Sequence, residues 1–213
     1  MSEDPRELRF FKTVNHPALF LTYDDGPNPE ITPRLLDLLG SAGAAVSFFI
    51  SGESLAHPQA PGLLRAALDS GHTIGNHGLL HEADVYPEFE VMRARLRDAV
   101  RIDTGLFRAP YGRRNQVGAY LDRDPDVLAF HWTFHLEDWL PVDLDEAARR
   151  VPEIVQPGAI VLLHDGALAS SQYRRREHVL ELTAMLLAEC RSRAIPTAGL
   201  AQVYPALHRR DVE

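Results

Sequence analysis

Cysteine is almost absent. Cys190 stands alone among 213 residues, so neither an intrachain disulfide nor a cysteine-built metal cluster can form, a usage that suits a reducing compartment. No apolar run approaches the ~18 residues that a membrane-crossing helix needs. Positive charge is also scarce: 22 Lys plus Arg face 30 Asp plus Glu, and the net charge of −8 repels phosphate backbones and anionic lipid surfaces. No nucleic-acid or membrane partner is therefore expected. Between Met1 and Pro17 the chain carries Glu3, Asp4, Arg6, Glu7, Arg9 and Lys12, without the apolar core of ~7–15 residues that marks a secretory signal. The expectation is a cytoplasmic protein, or a secreted one if a signal has been removed. Repeats, low-complexity tracts and linkers are missing too, which points to one domain.

What is present is an alternation of short apolar runs with helical patterns. Strands are expected at Ala18–Tyr23, Ala45–Ile50, Thr73–Gly75, Leu106–Ala109, Val127–Phe134, Ala159–Leu163 and Ile195–Leu200. Helices are expected from Thr32, with Pro33 in the first turn and Leu35, Leu36, Leu38 and Leu39 inward, and at Gly62–Ser70, Pro87–Val100, Gln116–Leu121, Leu144–Val155 and Arg176–Arg193. Pro152 should split the penultimate helix, and Arg174, Arg175 and Arg176 read as a solvated helix start. About seven strands, each followed by a helix or loop, indicate a barrel-like α/β fold, with an open doubly wound sheet as the alternative.

Ligands and catalysis in such folds gather at the carboxyl ends of the strands, and there this sequence is unusual. The first strand, apolar as Ala-Leu-Phe-Leu, runs into Thr22-Tyr23-Asp24-Asp25-Gly26-Pro27. Turn chemistry accounts for Asp-Gly-Pro but not for two adjacent carboxylates. The third ends in Gly75-Asn76-His77-Gly78-Leu79-Leu80-His81, whose histidines, four apart, share one face of a helical turn. Two histidines and a carboxylate from another strand end leave coordination positions open, as a hydrolytic or oxidative metal centre requires. Phe107-Arg108-Ala109-Pro110-Tyr111-Gly112, His131 to Trp139, and Leu162-Leu163-His164 mark three further strand ends. Any one of these has an ordinary structural explanation; five together do not.

Taken in order, these segments resemble the motifs of the polysaccharide deacetylase family, carbohydrate esterase family 4, over residues 18–203. The resemblance implies a deformed (β/α) barrel, with an N-terminal extension at 1–17, a catalytic domain at 18–205 and a C-terminal tail at 206–213. It also implies roles: Asp24 as general base; Asp25, His77 and His81 as ligands of a divalent metal, zinc first and cobalt next; Arg108 orienting the base. The Tyr111 N–H would help bind the oxyanion, His164 would be the catalytic acid with Asp138 as its partner, and Tyr111, Trp139 and Leu162 would line the substrate pocket. Two positions depart from the family pattern. Gly78 stands where Ser or Thr is common, a change that removes no ligand, so metal binding should survive. His135 stands where the fourth motif usually begins with Asp, which bears on the site's charge and substrate preference.

The implied reaction is removal of acetyl groups from N-acetylated carbohydrate of the N-acetylglucosamine type. O-acetyl carbohydrate hydrolysis of the acetylxylan kind uses the same apparatus with an easier leaving group, and a small N-acetyl compound is a further possible substrate. A non-catalytic carbohydrate-binding relative would normally have lost a ligand or the base. An iron oxygenase accepts two histidines and a carboxylate but has no use for Asp24 and His164.

Overall fold

The computed structural model describes residues 7–8, 14–80, 86–113, 121–122, 124, 126–167, 176–210 and 212. Its strands are β1 (Glu7–Leu8), β2 (Phe20–Asp24), β3 (Ser47–Ile50), β4 (Thr73–Asn76), β5 (Ile102–Thr104), β6 (Leu106–Phe107), β7 (Leu128–Phe130), β8 (Phe134–His135), β9 (Ile160–His164) and β10 (His208–Arg210). The helices are α1 (Thr32–Ala42), α2 (Gly52–Leu55), α3 (Ala60–Asp69), α4 (Tyr86–Val100), α5 (Leu144–Ile154) and α6 (His178–Ser192). Eight strands form one parallel sheet in the order β1-β7-β6-β4-β3-β2-β9-β8, curled into an open half-barrel. The barrel-like expectation holds, and the doubly wound alternative does not.

Strand periodicity separates the apolar residues of the sheet's two faces. Leu19 just before β2, Leu21 and Tyr23 on β2, Phe48 and Ile50 on β3, and Val161 and Leu163 on β9 face outward to the helices, meeting Leu35 and Leu39 of α1 and Val179, Leu182 and Leu186 of α6. Phe20, Phe49, Leu106, Leu128, Phe130 and Ile160 fill the inside. β2 lies between β3 and β9 in a register that sets Thr22 against Leu162 and Asp24 against His164. Since alternate residues share a face, Thr22, Asp24, Leu162 and His164 all rise on the inner side above the apolar plug.

Local chemistry explains the helices that frame this sheet. Pro33 sits in the first turn of α1, where its missing N–H is harmless, and Gly43 (φ 63°) closes that helix in the left-handed conformation only glycine adopts freely. Asp143 caps α5 by accepting from the N–H groups of Asp145 (2.9 Å) and Glu146 (3.0 Å).

Four expectations need correction. The run 127–134 is two strands, β7 and β8, because Thr133 turns the chain: its N–H donates to Ile160 O (2.8 Å) and its Oγ1 accepts from the Ile160 N–H (3.0 Å). Pro152 does not split α5. It lies in the last turn, where one ladder bond is lost while Val151 and Ile154 stay buried. Ile195–Leu200 yields only an isolated bridge, Leu19 to Thr197, and the chain then enters a short 3-10 turn at Leu200–Gln202. Leu36 and Leu38 are only partly buried, flanking the Leu35/Leu39 stripe. The Gln116–Leu121 helix falls almost wholly outside the described residues. An antiparallel ribbon of β5 with β10 was not anticipated; its Asp103 receives Arg93 (2.6 Å), Arg97 (2.9 Å) and Arg209 (2.5 Å). No helix among the described residues is long and apolar enough to cross a membrane.

Candidate active site

Asp24 and Asp25 are both buried at the exit of β2. Asp25 takes a left-handed backbone (φ 68°), which turns the second side chain away from the strand's alternation. Its carbonyl accepts from the hydroxyls of Ser51 (3.3 Å) and Ser54, while Gly166 lies beneath it where any β-carbon would collide. Ser51 also caps α2, so one hydroxyl serves both helix and site.

Arg108, fully buried, is the hub. One Nη1 donates to Asp24 Oδ1 (2.8 Å) and Thr22 Oγ1 (2.8 Å), Nε to Phe130 O (3.3 Å), and Nη2 to His131 O (3.2 Å). The guanidinium carbon lies 4.3 Å from the Phe49 ring centroid. Burial pushes the guanidinium below its ordinary value, and the Asp24 charge opposes that shift. A charged, bidentate-capable donor so placed keeps one Asp24 oxygen engaged and leaves the other directed into the site.

His77 follows β4, held by Asn76, whose amide donates to Phe89 O (2.9 Å) and whose oxygen accepts from the Gly78 N–H (2.8 Å). Since a carbonyl can only accept, the 2.9 Å contact between His77 Nδ1 and Arg108 O fixes the proton on Nδ1. In the neutral ring, Nε2 then directs its lone pair toward Asp25 Oδ1 (3.5 Å) and Asp24 Oδ2 (3.7 Å). A lone pair facing two buried carboxylates is repulsive unless a cation is shared between them, so these residues fit a divalent metal, with the Arg108 carbonyl as the outer partner that orients the imidazole. Among the described residues no group of three or more ligating side chains is found; His81, the remaining expected ligand, lies outside them. Gly78 has φ 84°, and a β-carbon there would press on Phe89, so the Ser or Thr of the family pattern does not suit this turn.

Opposite stand His164 and Asp138. His164 Nδ1 donates to Asp138 Oδ1 (2.9 Å), and the His164 N–H donates to Asp138 Oδ2 (2.6 Å). Burial alone would lower the imidazole's pKa; Asp138, aided by Asp25 and Asp24, outweighs it and raises it to about 9. Trp139 packs edge-on against His164 (5.6 Å between centroids) and beside His135 (5.2 Å). His135, half-buried, is held below its ordinary value by burial. Leu162 is buried on the inner face one alternation before His164. Tyr111 (φ 55°) sits in the 3-10 turn Pro110–Gly112, is 58% exposed, and its ring lies 4.7 Å from the Arg113 guanidinium.

Several residues around the site were not read from the sequence. Asp165 is fully buried: Oδ2 accepts from Thr32 Oγ1 (2.5 Å), Thr32 in turn accepts from the Asn28 N–H (2.7 Å), and burial pushes the carboxyl up to about 7. Arg176 is buried, contrary to its reading as part of a solvated basic run; Arg174 and Arg175 lie outside the described residues. The hydroxyl clamp of Ser51 and Ser54 carries no signal in sequence. Asp165, directly after His164 at the end of an apolar strand, could have been flagged.

Fold and site together define an open α/β barrel that sets a guanidinium-bound carboxylate and a carboxylate-bound imidazole at adjacent strand ends. A family model described as Polysaccharide deacetylase matches residues 11–124. A chitooligosaccharide deacetylase of Rhizobium leguminosarum bv. phaseoli is 31% identical over 205 residues, spanning 92% of this chain and 84% of that protein. The chain belongs to the polysaccharide deacetylase family. A solved peptidoglycan N-acetylglucosamine deacetylase superposes with a TM-score of 0.78 at 23% identity, covering 92% of each chain. A family 4 acetyl xylan esterase from Clostridium thermocellum, in complex with a cobalt ion, gives 0.75 at 21% identity, covering 88% of this chain and 90% of that one. At such identities the two structures speak for the fold. The curated relatives support an enzyme acting on acetylated carbohydrate.

Proposed function

We propose that this protein is a metal-dependent deacetylase that hydrolyses the acetamide of N-acetylglucosamine-type carbohydrate. The observation that carries the reading is the pairing of two opposed proton-transfer groups in one buried site, Asp24 on Arg108 and His164 on Asp138. Asp25 and His77 are the residues that would hold the ion, with His81 as the third ligand; zinc is proposed and cobalt is the alternative. Such an ion supplies Lewis acidity, polarising an acyl oxygen and making water easier to deprotonate.

The chain's own residues do the rest. Asp24, one oxygen held by Arg108, takes the proton of the attacking water through the other. The Tyr111 N–H donates to the developing oxyanion, an interaction of a kind worth about 3–4 kcal/mol per donor in other enzymes. An amine is a poor leaving group, so it must be protonated as it departs; His164 supplies that proton, and Asp138 fixes its tautomer and favours its charged form. Trp139 and Leu162 form the apolar wall for the acetyl methyl and the sugar. An intracellular, soluble substrate is proposed with this reading.

The test is acetate release from N-acetylglucosamine oligomers by metal-stripped protein resupplied with zinc or cobalt, beside Asp24→Asn and an O-acetylated xylan control. Metal-dependent acetate from the amide, abolished in Asp24→Asn, is the expected result. Acetate from xylan alone would reassign the substrate, and none from either would overturn the reading.

A further inference from the structure

We propose that Arg176, together with His178, is a positioning residue for the proton-donating pair Asp138 and His164; the inference rests on the deacetylase reading above. Arg176 lies two residues ahead of the first residue of α6 and is 3% exposed. Among the described residues its guanidinium makes no ion pair. Instead Nε donates to Gly166 O (3.0 Å) and Nη1 to Asp138 O (3.2 Å), while His178 Nε2 donates to the same Asp138 carbonyl (2.7 Å).

Those two carbonyls belong to the two loops that carry the acid. Gly166 lies two residues beyond His164, at the exit of β9, and Asp138 is the partner of its imidazole. Glu137, immediately before Asp138, has φ 53°, a conformation that a residue with a β-carbon keeps only where its surroundings impose it. Two side chains of one helix end, both donating to the next residue's carbonyl, supply that constraint. α6 is anchored behind them by buried Val179, Leu182 and Leu186, so the clamp is mounted on a rigid element.

Helix stability does not explain the arrangement. A cation ahead of a helix N-terminus opposes the helix dipole, and burying a guanidinium without a carboxylate at contact distance is costly. The charges it feels are those of the site: burial lowers its pKa, and Asp138 and Asp25 counter the shift. Arg176 thus spans the loops after β8 and β9 and holds Asp138 where it can accept from both the backbone and the ring of His164.

The test exploits leaving-group chemistry on the metal-loaded enzyme. Amide hydrolysis needs His164 to protonate the departing amine, whereas p-nitrophenyl acetate releases an anion that leaves without protonation. Arg176→Met should lose kcat on N-acetylglucosamine oligomers by about 10–100-fold, a part of the 10²–10⁴ that a general acid supplies. Its KM, its zinc affinity and its p-nitrophenyl acetate rate should stay near wild type. Arg176→Lys, which keeps the charge but cannot reach both carbonyls at once, should recover part of the amide rate. His178→Phe should show a weaker version of the split and provides a route if Arg176→Met does not fold. Equal loss on both substrates with a lowered melting temperature would make the role merely structural and overturn the proposal, as would an unchanged amide rate. A wild-type protein that hydrolyses neither substrate would instead overturn the deacetylase reading.

Discussion

Replacing Asp138 by Asn tests the acid half of the site most sharply. Asp138 presents two oxygens to two donors of one residue, the ring Nδ1–H of His164 at 2.9 Å and its backbone N–H at 2.6 Å. Asparagine has a single acceptor oxygen, so one donor must face an amide NH₂, at a cost of about 1–3 kcal/mol for a buried unsatisfied group. The charge is lost as well. His164 stands at about 9 against the ordinary 6.5, which corresponds to about 3 kcal/mol favouring the charged imidazole. Without Asp138, burial loses its largest opponent and the pKa falls. In the wild type the high-pH limb of amide hydrolysis should therefore lie near or somewhat below 9, since a bound cation offsets part of the Asp25 contribution. In Asp138→Asn it should move to lower pH, and the rate at neutral pH should drop accordingly.

Stability of the metal-free chain carries the same signature. A raised folded-state pKa stabilises fully below the unfolded value of about 6.5, and that contribution is lost as pH rises through about 9. Melts at pH 6 and pH 10 should differ in the wild type and differ less in the variant. An active Asp138→Asn whose high-pH limb stays where the wild type has it would refute the assignment of His164 as the acid and Asp138 as its partner.

Other perturbations separate the remaining roles. Asp24→Asn should release no acetate, and should lose about 3–5 kcal/mol of stability because the buried Arg108 guanidinium keeps a hydrogen-bond acceptor but loses its counter-charge; acetate at the wild-type rate would remove Asp24 from the mechanism. His77→Ala should abolish stoichiometric zinc uptake in equilibrium dialysis, and undiminished uptake would show that the ion sits elsewhere. On the acid side, His72 and His208 are both held at about 4, His72 by burial and His208 by burial aided by Arg210. Each accepts a backbone N–H, from Val46 and Ile74 respectively, so each stabilises above about 6.5 and that contribution is lost as pH falls toward 4. Denaturant melts of His208→Gln should accordingly flatten the decline between pH 6.5 and 4, and an unchanged slope would count against this account.

The parts of the molecule legible in sequence are those written in periodicity and strand-end chemistry. β2 and β9 showed themselves as apolar runs that stop at charged residues, and those junctions pointed to Asp24, Asp25 and His164, as the segments after β6 and β8 did to Arg108 and Asp138. What escaped has a common physical cause: it depends on where the chain goes after leaving the sheet. Arg176 looked solvated because three arginines in a row usually are, and only the packing of α6 against the site buries it. The turn at Thr133 was hidden in a continuous β-prone run, since its hydroxyl bonds to a strand distant in sequence. Pro152 kept its helix because its cost falls in a last turn already secured by Val151 and Ile154. Asp103 gathers arginines from α4 and β10, an arrangement with no local pattern to announce it.

On the proposed roles, the pairing of Asp24 with His164 across β2 and β9 makes catalytic competence and sheet register one property. A slip of one residue between these strands would send base or acid to the helix-covered side and bring Tyr23 or Leu163 inward. A chain with that slip would be inert rather than altered in preference. Specific activity would thus count correctly registered molecules, a direct gauge of folding fidelity in any preparation.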